Sequence, residues 1–267
     1  MAVSAPRCLV DLSAQDRLRS GAAARPPRLR VLCCPPSGAA AGYWRVLVRE
    51  DVHVLGVQYP GRESRFRDPA AGSLPALAEE AAAAVAAAAW TPAGVPLVVL
   101  GHSMGAAVAA ELASLLEHRH GVPVALLALS AKAAPGAAGD DDELLRAGLD
   151  PQDPRADEAL ARWLRGLGGT PAAVLDDPEL LALQLPALRA DLRLSRAHDR
   201  LPAPVRAPLL LLRGTEDGTV DAAGMAGWAA VSTGAVERRE YPGGHHPLAA
   251  QRDRLLADLE ACAGPAR

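Results

Sequence analysis

Aromatic residues are scarce in this sequence. Its 267 residues include one Phe, three Tyr and four Trp, so aromatic types make up 3% of the chain. Proteins that bind single-stranded nucleic acid stack the bases on aromatic rings, so we do not expect stacking of bases or sugars to be the main function. Hydrophobic types still make up 50%, and a chain of this length buries about three quarters of its unfolded surface. The core must therefore be built from Leu, Val and Ala.

An excess of positive charge is also missing. The 28 Lys and Arg residues are outnumbered by 31 Asp and Glu residues, which gives a net charge of −3. Nucleic-acid-binding domains usually carry a basic excess, so nucleic acid is not an expected partner. Long hydrophobic runs are absent too. The longest apolar stretch, Ala81–Trp90, is too short and too rich in Ala to span a bilayer.

The first 27 residues lack the apolar segment of a secretory signal. We expect residues 1–27 to be a loosely ordered N-terminal extension, followed by one domain over residues 28–267. The absence of a targeting segment and of a membrane span favours a cytoplasmic protein, and we expect a monomer.

Cysteines are few and their spacing is unlike that of metal sites. The four cysteines are Cys8, Cys33, Cys34 and Cys262. No CxxC pair occurs, which disfavours zinc and thioredoxin chemistry. We expect reduced, buried thiols and no metal or cofactor.

Short apolar runs alternate with helical patterns along the chain. Continuous apolar runs are typical of strands that are covered on both faces, as in parallel sheets. The expected strands are Leu29–Cys34, Val52–Gln58, Pro96–Leu100, Val124–Leu129, Pro208–Arg213 and Val236–Tyr241. The expected helices are Leu74–Trp90, Gly105–His120, Ala222–Ala230 and Leu248–Cys262. This alternation predicts an α/β fold with a doubly wound, mostly parallel sheet.

One region, about residues 139–200, interrupts the alternation. It opens with the acidic run Asp140–Glu143, which favours a solvated loop, and contains no evident strand. Helical patterns follow at Glu158–Leu167, Pro178–Leu185 and Leu188–His198. A helical insertion between two sheet strands predicts a lid over the site. An ordinary helical packing layer is the alternative.

The sharpest motif is Gly101-His-Ser-Met-Gly105, which lies between an apolar strand and a helix-forming run. GxSxG in this context predicts a sharp strand-to-helix turn that exposes the Ser103 hydroxyl as a nucleophile. The flanking glycines remove side chains that would clash in this turn. The backbone N–H of Met104, at the helix start, would face a developing oxyanion.

A serine nucleophile needs a base and an acid, and in such hydrolases the chain order is Ser, acid, His. Asp217 follows a predicted strand and is the expected acid, with its neighbour Glu216 as the alternative. His245 directly follows a Gly-Gly turn and is the expected base. His246 is the alternative, but it precedes a proline, which biases it towards an extended conformation.

A second oxyanion donor is expected in the loop after the first strand, Pro35-Pro-Ser-Gly-Ala39. Small residues let a backbone N–H approach the substrate oxygen. Pro36 has no N–H, so Ser37 is the natural donor. A plain turn without this role is the alternative.

The sequence resembles the stand-alone type II thioesterases of polyketide and non-ribosomal peptide assembly lines, which are α/β-hydrolases with a helical lid. Besides GxSxG, the likeness lies in Val57-Gln-Tyr-Pro-Gly-Arg62, Leu185-Pro-Ala-Leu-Arg-Ala-Asp191, the Leu167–Leu181 segment of the insertion and Leu129–Pro135. One departure is Gly243-Gly-His-His-Pro-Leu248, where that family usually has G-G-H-F-F-L.

This resemblance implies a thioesterase with Ser103, Asp217 and His245 as triad and the amides of Ser37 and Met104 as oxyanion hole. The implied substrates are acyl groups on the phosphopantetheine arm of an acyl or peptidyl carrier protein. Two clusters of arginines, at 62, 65 and 67 and at 189, 193 and 196, could meet an acidic carrier or form a solvated face.

Three alternatives remain. One is a carboxylesterase acting on small molecules, and another is a non-catalytic module that docks carrier proteins. The third is a chain-releasing domain of a synthase. We expect a stand-alone enzyme.

Overall fold

The computed structural model describes residues 7–14, 27–88, 90, 94–137, 143–150 and 152–264. Within these residues the chain forms a seven-stranded sheet with the order β1-β3-β2-β4-β5-β6-β7. The strands are β1 (Leu9–Asp11), β2 (Leu29–Cys34), β3 (Val52–Val57), β4 (Leu97–His102), β5 (Leu126–Ser130), β6 (Leu209–Gly214) and β7 (Val236–Tyr241). All neighbouring pairs except β1–β3 are parallel. The predicted α/β fold is confirmed.

Helices cover both faces of this sheet. The α-helices of the described residues are α1 (Leu74–Ala87), α2 (Met104–His118), α3 (Glu143–Leu149), α4 (Ala156–Leu167), α5 (Ala172–Leu175), α6 (Pro178–Ala197), α7 (Ala222–Ala226) and α8 (Arg252–Ala263). One apolar core lies between the sheet, α1 and α2. The other lies between the sheet, α8 and a 3-10 helix over Ala41–Leu47.

The central strands β2, β4 and β5 are buried at every position. Alternate residues of one strand face the two cores: Leu32 and Cys34 lie in the first, Val31 and Cys33 in the second. A strand that faces two apolar layers needs apolar residues throughout, which is why the runs in the sequence are continuous.

The prediction that residues 1–27 are loosely ordered is wrong for residues 9–11. Residues 9–11 form β1, which pairs antiparallel with β3 through Leu9 opposite Val57 and Asp11 opposite Leu55. Leu12 is buried against the second core. A three-residue strand is too short to show hydrophobic periodicity. Its position is evident only in the structure, where it pairs with the edge of β3. Residues 1–6 and 15–26 lie outside the described residues.

Between β5 and β6 the described residues form the helices α3 to α6, as the missing strand pattern predicts. They share a separate apolar cluster, made of Leu145, Leu160, Leu164, Leu175, Leu185, Leu188 and Leu192. Glu143, the last residue of the acidic run, begins α3, whereas residues 140–142 lie outside the described part.

The expected break between two helices near residue 186 is absent. α6 runs continuously through Pro186. A proline inside a helix removes one backbone hydrogen bond and favours a kink, but Leu185, Ala187 and Leu188 are buried around it. Packing of this face outweighs the lost bond.

Among the described residues, no helix combines the length and the apolar character that crossing a bilayer requires. The four cysteines are free thiols, and Cys8, Cys33 and Cys34 are buried. Burial raises the pKa of the Cys8 thiol to about 11.

Candidate active site

Ser103 occupies a strained turn between β4 and α2. Its φ and ψ angles are 53° and −127°, a region that L-residues rarely adopt. The Ser103 amide donates to the carbonyl oxygen of Ser130 at 2.8 Å, and its own carbonyl accepts from Ala106 N at 2.8 Å. The turn is therefore held between β5 and the first turn of α2, as GxSxG predicts.

The two glycines of the motif are required by space. A Cβ on Gly101 would lie 2.0 Å from the carbonyl oxygen of Gly105, and a Cβ on Gly105 would lie 2.2 Å from that of Cys34. Both obstacles are backbone atoms, which cannot turn aside. Close packing of the backbone therefore forms this strand-to-helix turn, the serine elbow. It also places the end of β2 in contact with the start of α2.

Asp217 and His245 form a buried pair at the ends of β6 and β7. Asp217 Oδ2 lies 2.9 Å from His245 Nδ1, and both residues are buried. Thr219 joins them, because its hydroxyl donates to Asp217 Oδ1 at 2.7 Å and lies 3.0 Å from His245 Nδ1. The carbonyl oxygens of Gly243 and Gly244 pack against Gly214 and hold the histidine loop against β6.

Asp217 is kept ionised by these contacts. Burial raises its pKa, but the hydrogen bonds and charge of His245 and the hydrogen bonds from Thr219 outweigh burial and leave the pKa below the usual value. An ionised acid can orient the imidazole and stabilise an imidazolium. Glu216, the alternative acid, is exposed.

His246 occupies a different environment from His245. Its Nδ1 lies 3.0 Å from the Tyr43 hydroxyl and 3.2 Å from His102 Nε2. The His102 ring is in turn 5.1 Å from the His245 ring, centroid to centroid. Of the two neighbouring histidines, His245 therefore makes the carboxylate contact and His246 makes contacts to a phenol and an imidazole.

The two expected oxyanion donors lie at adjoining positions. Met104 is the first residue of α2, where backbone amides have no partner within the helix. Ser37 follows Cys34-Pro35-Pro36, and the carbonyl oxygens of Cys34 and Pro35 pack directly on Gly105. The loop that carries Ser37 therefore abuts the first turn of α2.

A buried ion pair joins this loop to α6. Arg62 and Asp191 form a bidentate contact of 2.6 and 2.8 Å, and both side chains are buried. Asp191 Oδ2 also accepts from the Gly38 amide at 2.8 Å, and Arg62 donates to the carbonyl oxygen of Ala39 at 3.1 Å. Two segments that resemble type II thioesterases end at these residues, one at Arg62 after β3 and the other at Asp191 in α6. They therefore meet at the loop that carries Ser37.

The buried pair of Arg62 and Asp191 corrects the expectation that the arginines at 62, 65 and 67 form a solvated face. Arg62 and Arg65 are buried in ion pairs, Arg65 with Asp68 and Glu80, so they do not form a solvated face. Arg67, Arg193 and Arg196 are exposed.

A cavity of about 270 Å³ lies beside the pair of acid and base. It is lined by Asp217, Thr219 and His245 on the sheet side and by Leu144, Trp163 and Leu167 of the insertion on the other. The helical insertion therefore forms one wall of the site.

The sequence interpretation missed Thr219 and the contact of His102 with the histidine loop. The pattern Asp-x-Thr is a local signal for Thr219, since an Asp side chain often accepts from the backbone amide two residues on, as it does here at 2.9 Å. No local signal exists for His102, because its partners are 28 and 144 residues away.

Comparison with known proteins identifies the family of this chain. A family model described as a thioesterase domain matches residues 29–262. Thioesterase PikA5 of Streptomyces venezuelae is 36% identical over 86% of this chain and 79% of its own length. RedJ, a thioesterase from the prodiginine biosynthetic pathway in Streptomyces coelicolor, is 32% identical with a TM-score of 0.75, covering 89% of this chain and 93% of its own.

BorB, the type II thioesterase from the borrelidin biosynthetic cluster, is 26% identical with a TM-score of 0.75, covering 98% of this chain and all of its own. Some other matched relatives are much longer synthetases and synthases, of which this chain spans 11 to 16%. The match of the family model, the relatives and the strained serine elbow lead to one conclusion: this chain belongs to the thioesterase family and is a thioester hydrolase with the α/β-hydrolase fold.

Proposed function

We propose that this protein is a stand-alone editing thioesterase, which hydrolyses acyl groups from the phosphopantetheine arm of acyl or peptidyl carrier proteins. The observation that carries the proposal is the buried Asp217–His245 pair beside the strained elbow of Ser103. Support for the substrate class comes from the relatives, which include a type II thioesterase of a biosynthetic cluster.

In the proposed reaction, His245 takes the proton of the Ser103 hydroxyl as the oxygen attacks the thioester carbonyl. Asp217 holds the imidazole through Nδ1 and stabilises the imidazolium. The tetrahedral intermediate expels the pantetheine thiolate, which takes the proton from His245 and leaves as the thiol. Water then attacks the acyl-enzyme with His245 again as base, and the free acid leaves while Ser103 regains its proton.

The oxyanion is assigned to the amides of Ser37 and Met104. The Arg62–Asp191 pair is given a positioning role, because Asp191 accepts from Gly38, the residue after Ser37. An oxyanion donor stabilises the transition state only when it is held at a fixed place. The buried ion pair supplies that constraint from the insertion.

The acyl group is assigned to the cavity between the sheet and Trp163. Its volume is about 270 Å³, near the lower end of the range of about 300–1,000 Å³ for ligand pockets. We propose short acyl groups as its occupants.

The test is to incubate the protein with carrier proteins loaded with acetyl or octanoyl groups and to follow the intact mass of the carrier. Ser103→Ala is run alongside, with the exposed Ser64→Ala as matched control. We expect loss of the acetyl mass, slower loss of octanoyl, no reaction with Ser103→Ala and an unchanged rate with Ser64→Ala.

Other results would favour other functions. Cleavage of a simple aryl ester with an untouched carrier would point to a carboxylesterase. Carrier binding without any hydrolysis would point to a docking module. A clear preference for a long assembly-line chain over acetyl would point to a chain-releasing domain.

A further inference from the structure

Three imidazoles converge beside the serine elbow. The side chains of His102, His245 and His246 each place a ring nitrogen within 4.8 Å of the other two. Ring centroids are 4.9 to 5.1 Å apart. The proposed hydrolysis uses one of these histidines, and the other two have no part in it.

The spacing of two of the nitrogens fits a metal ion. His102 Nε2 and His246 Nδ1 are 3.2 Å apart. Two nitrogens bound to one tetrahedral Zn²⁺ at about 2.0–2.1 Å lie about 3.3 Å from each other. The third donor, on His245, lies within 4.8 Å of the other two.

One hydrogen bond orients His102 for metal binding. When His102 Nδ1 donates to Ser130 Oγ, at 3.0 Å, the His102 Nε2 atom carries a lone pair. Metal-bound imidazoles are commonly oriented in this way by a partner on the second nitrogen. His246 offers Nδ1, which lies 3.0 Å from the Tyr43 hydroxyl, so a metal ion would replace Tyr43 as the partner of that nitrogen.

We propose that His102, His245 and His246 form a binding site for a divalent transition-metal ion such as Zn²⁺, and that occupation of this site blocks the hydrolase. Three histidines with one open position form a donor set that Zn²⁺ accepts. A metal on His245 takes away the lone pair that receives the proton of Ser103 or displaces the contact to Asp217. The blocking part rests on the proposed function, whereas the metal binding does not.

The first experiment measures binding without turnover. Metal-free protein is titrated with Co²⁺ and the visible absorption bands of tetrahedral cobalt are followed, and Zn²⁺ affinity is then measured by competition with a chromophoric chelator. We expect one tight equivalent in the wild type. His246→Phe, which restores the residue usual in the family, is expected to weaken binding at least 10-fold, and His246→Gln serves if the Phe variant folds poorly.

The matched control is His118→Gln, because His118 is exposed and lies on α2 away from the cluster. It should bind Co²⁺ and Zn²⁺ as the wild type does. Absence of a tetrahedral cobalt spectrum in the wild type, or wild-type affinity in the His246 variants, would overturn the site.

The second experiment measures hydrolysis of an acyl carrier and of an aryl ester at rising free Zn²⁺, with each variant normalised to its own metal-free rate. We expect loss of both activities in the wild type with the midpoint at the measured Kd and recovery with EDTA. The midpoint should move with the Kd in His246→Phe. Metal binding without inhibition would disprove the blocking role alone, and failure of carrier hydrolysis would leave the aryl ester and the cobalt spectrum as readouts.

Discussion

Ser103 and helix α6 are joined to the same sheet by different kinds of contact. The serine turn is held by backbone atoms, since a Cβ on either flanking glycine would lie 2.0 to 2.2 Å from a carbonyl oxygen. Helix α6 is held by side chains, through Asp191 to Arg62 and through Ser195 to Lys132, with a 2.9 Å hydrogen bond in the second contact.

This difference predicts which of the two regions tolerates substitution. Backbone atoms cannot move aside by changing rotamer, so the serine turn has a single arrangement. Side-chain contacts can be broken singly, and each has its own cost. Single polar substitutions in the helical insertion should therefore have separate, graded effects, each set by the burial of the contact that is lost.

The largest effect is expected from Gly105→Ala. The new methyl group would meet the carbonyl oxygens of Cys34 and Pro35 at 2.2 and 2.5 Å, so the free energy of unfolding should fall by more than about 3 kcal/mol. Chemical denaturation measures this. The control is Gly166→Ala in α4, where nothing lies within 4 Å and a gain of about 0.5–1 kcal/mol is expected. Equal stability of the two variants would contradict the packing argument.

Asp217→Asn should abolish most of the activity while the fold stays intact. Without the carboxylate, His245 loses its oriented tautomer, and kcat should fall by about 10⁴-fold. Steady-state kinetics on an acyl carrier measures the change, and circular dichroism checks the fold. Glu216→Gln is the control, since Glu216 is the exposed neighbour. A large loss in Glu216→Gln with a small one in Asp217→Asn would reverse the assignment of the acid.

Asp191→Asn tests the polar attachment of α6. It leaves the Arg62 guanidinium buried without its partner, which costs about 3–5 kcal/mol in the free energy of unfolding. Asp157→Asn is the control, because Asp157 pairs with Arg189 on the surface with 71% exposure and such pairs contribute about 0–1 kcal/mol. Thermal denaturation measures the stability of both variants. Similar decreases in Tm would show that burial of the ion pair contributes little to stability.

The smallest effect is expected from Thr219→Val. It removes the hydroxyl that donates to Asp217 Oδ1 at 2.7 Å. A hydrogen bond to a charged group contributes about 1.5 kcal/mol, which corresponds to roughly 10-fold in kcat. Thr219→Ser, which keeps the hydroxyl, should restore the rate. An unchanged rate in Thr219→Val would show that the hydroxyl contributes nothing, and a loss confined to Thr219→Ser would assign the effect to the methyl group.

Much of the sheet could be predicted because its central strands β2, β4 and β5 are buried on both faces and are therefore continuous in hydrophobicity. Strand β1 could not, because three residues carry no period and its place depends on the edge of β3. The continuity of α6 was also missed, since Pro186 is a local signal for a helix end that packing overrides.

The sequence by itself determined the α/β order, the strand-to-helix turn at Ser103 and the loops that carry Asp217 and His245. These features depend on local patterns, because hydrophobic periodicity and glycine spacing act over a few residues. Only the tertiary structure decided that His245 contacts Asp217, that Arg62 meets Asp191 across 129 residues, and that His102 reaches His246 across 144 residues. Such contacts form where strand ends and helices that are distant in sequence come together. A short segment of sequence does not contain both partners, so it cannot predict them.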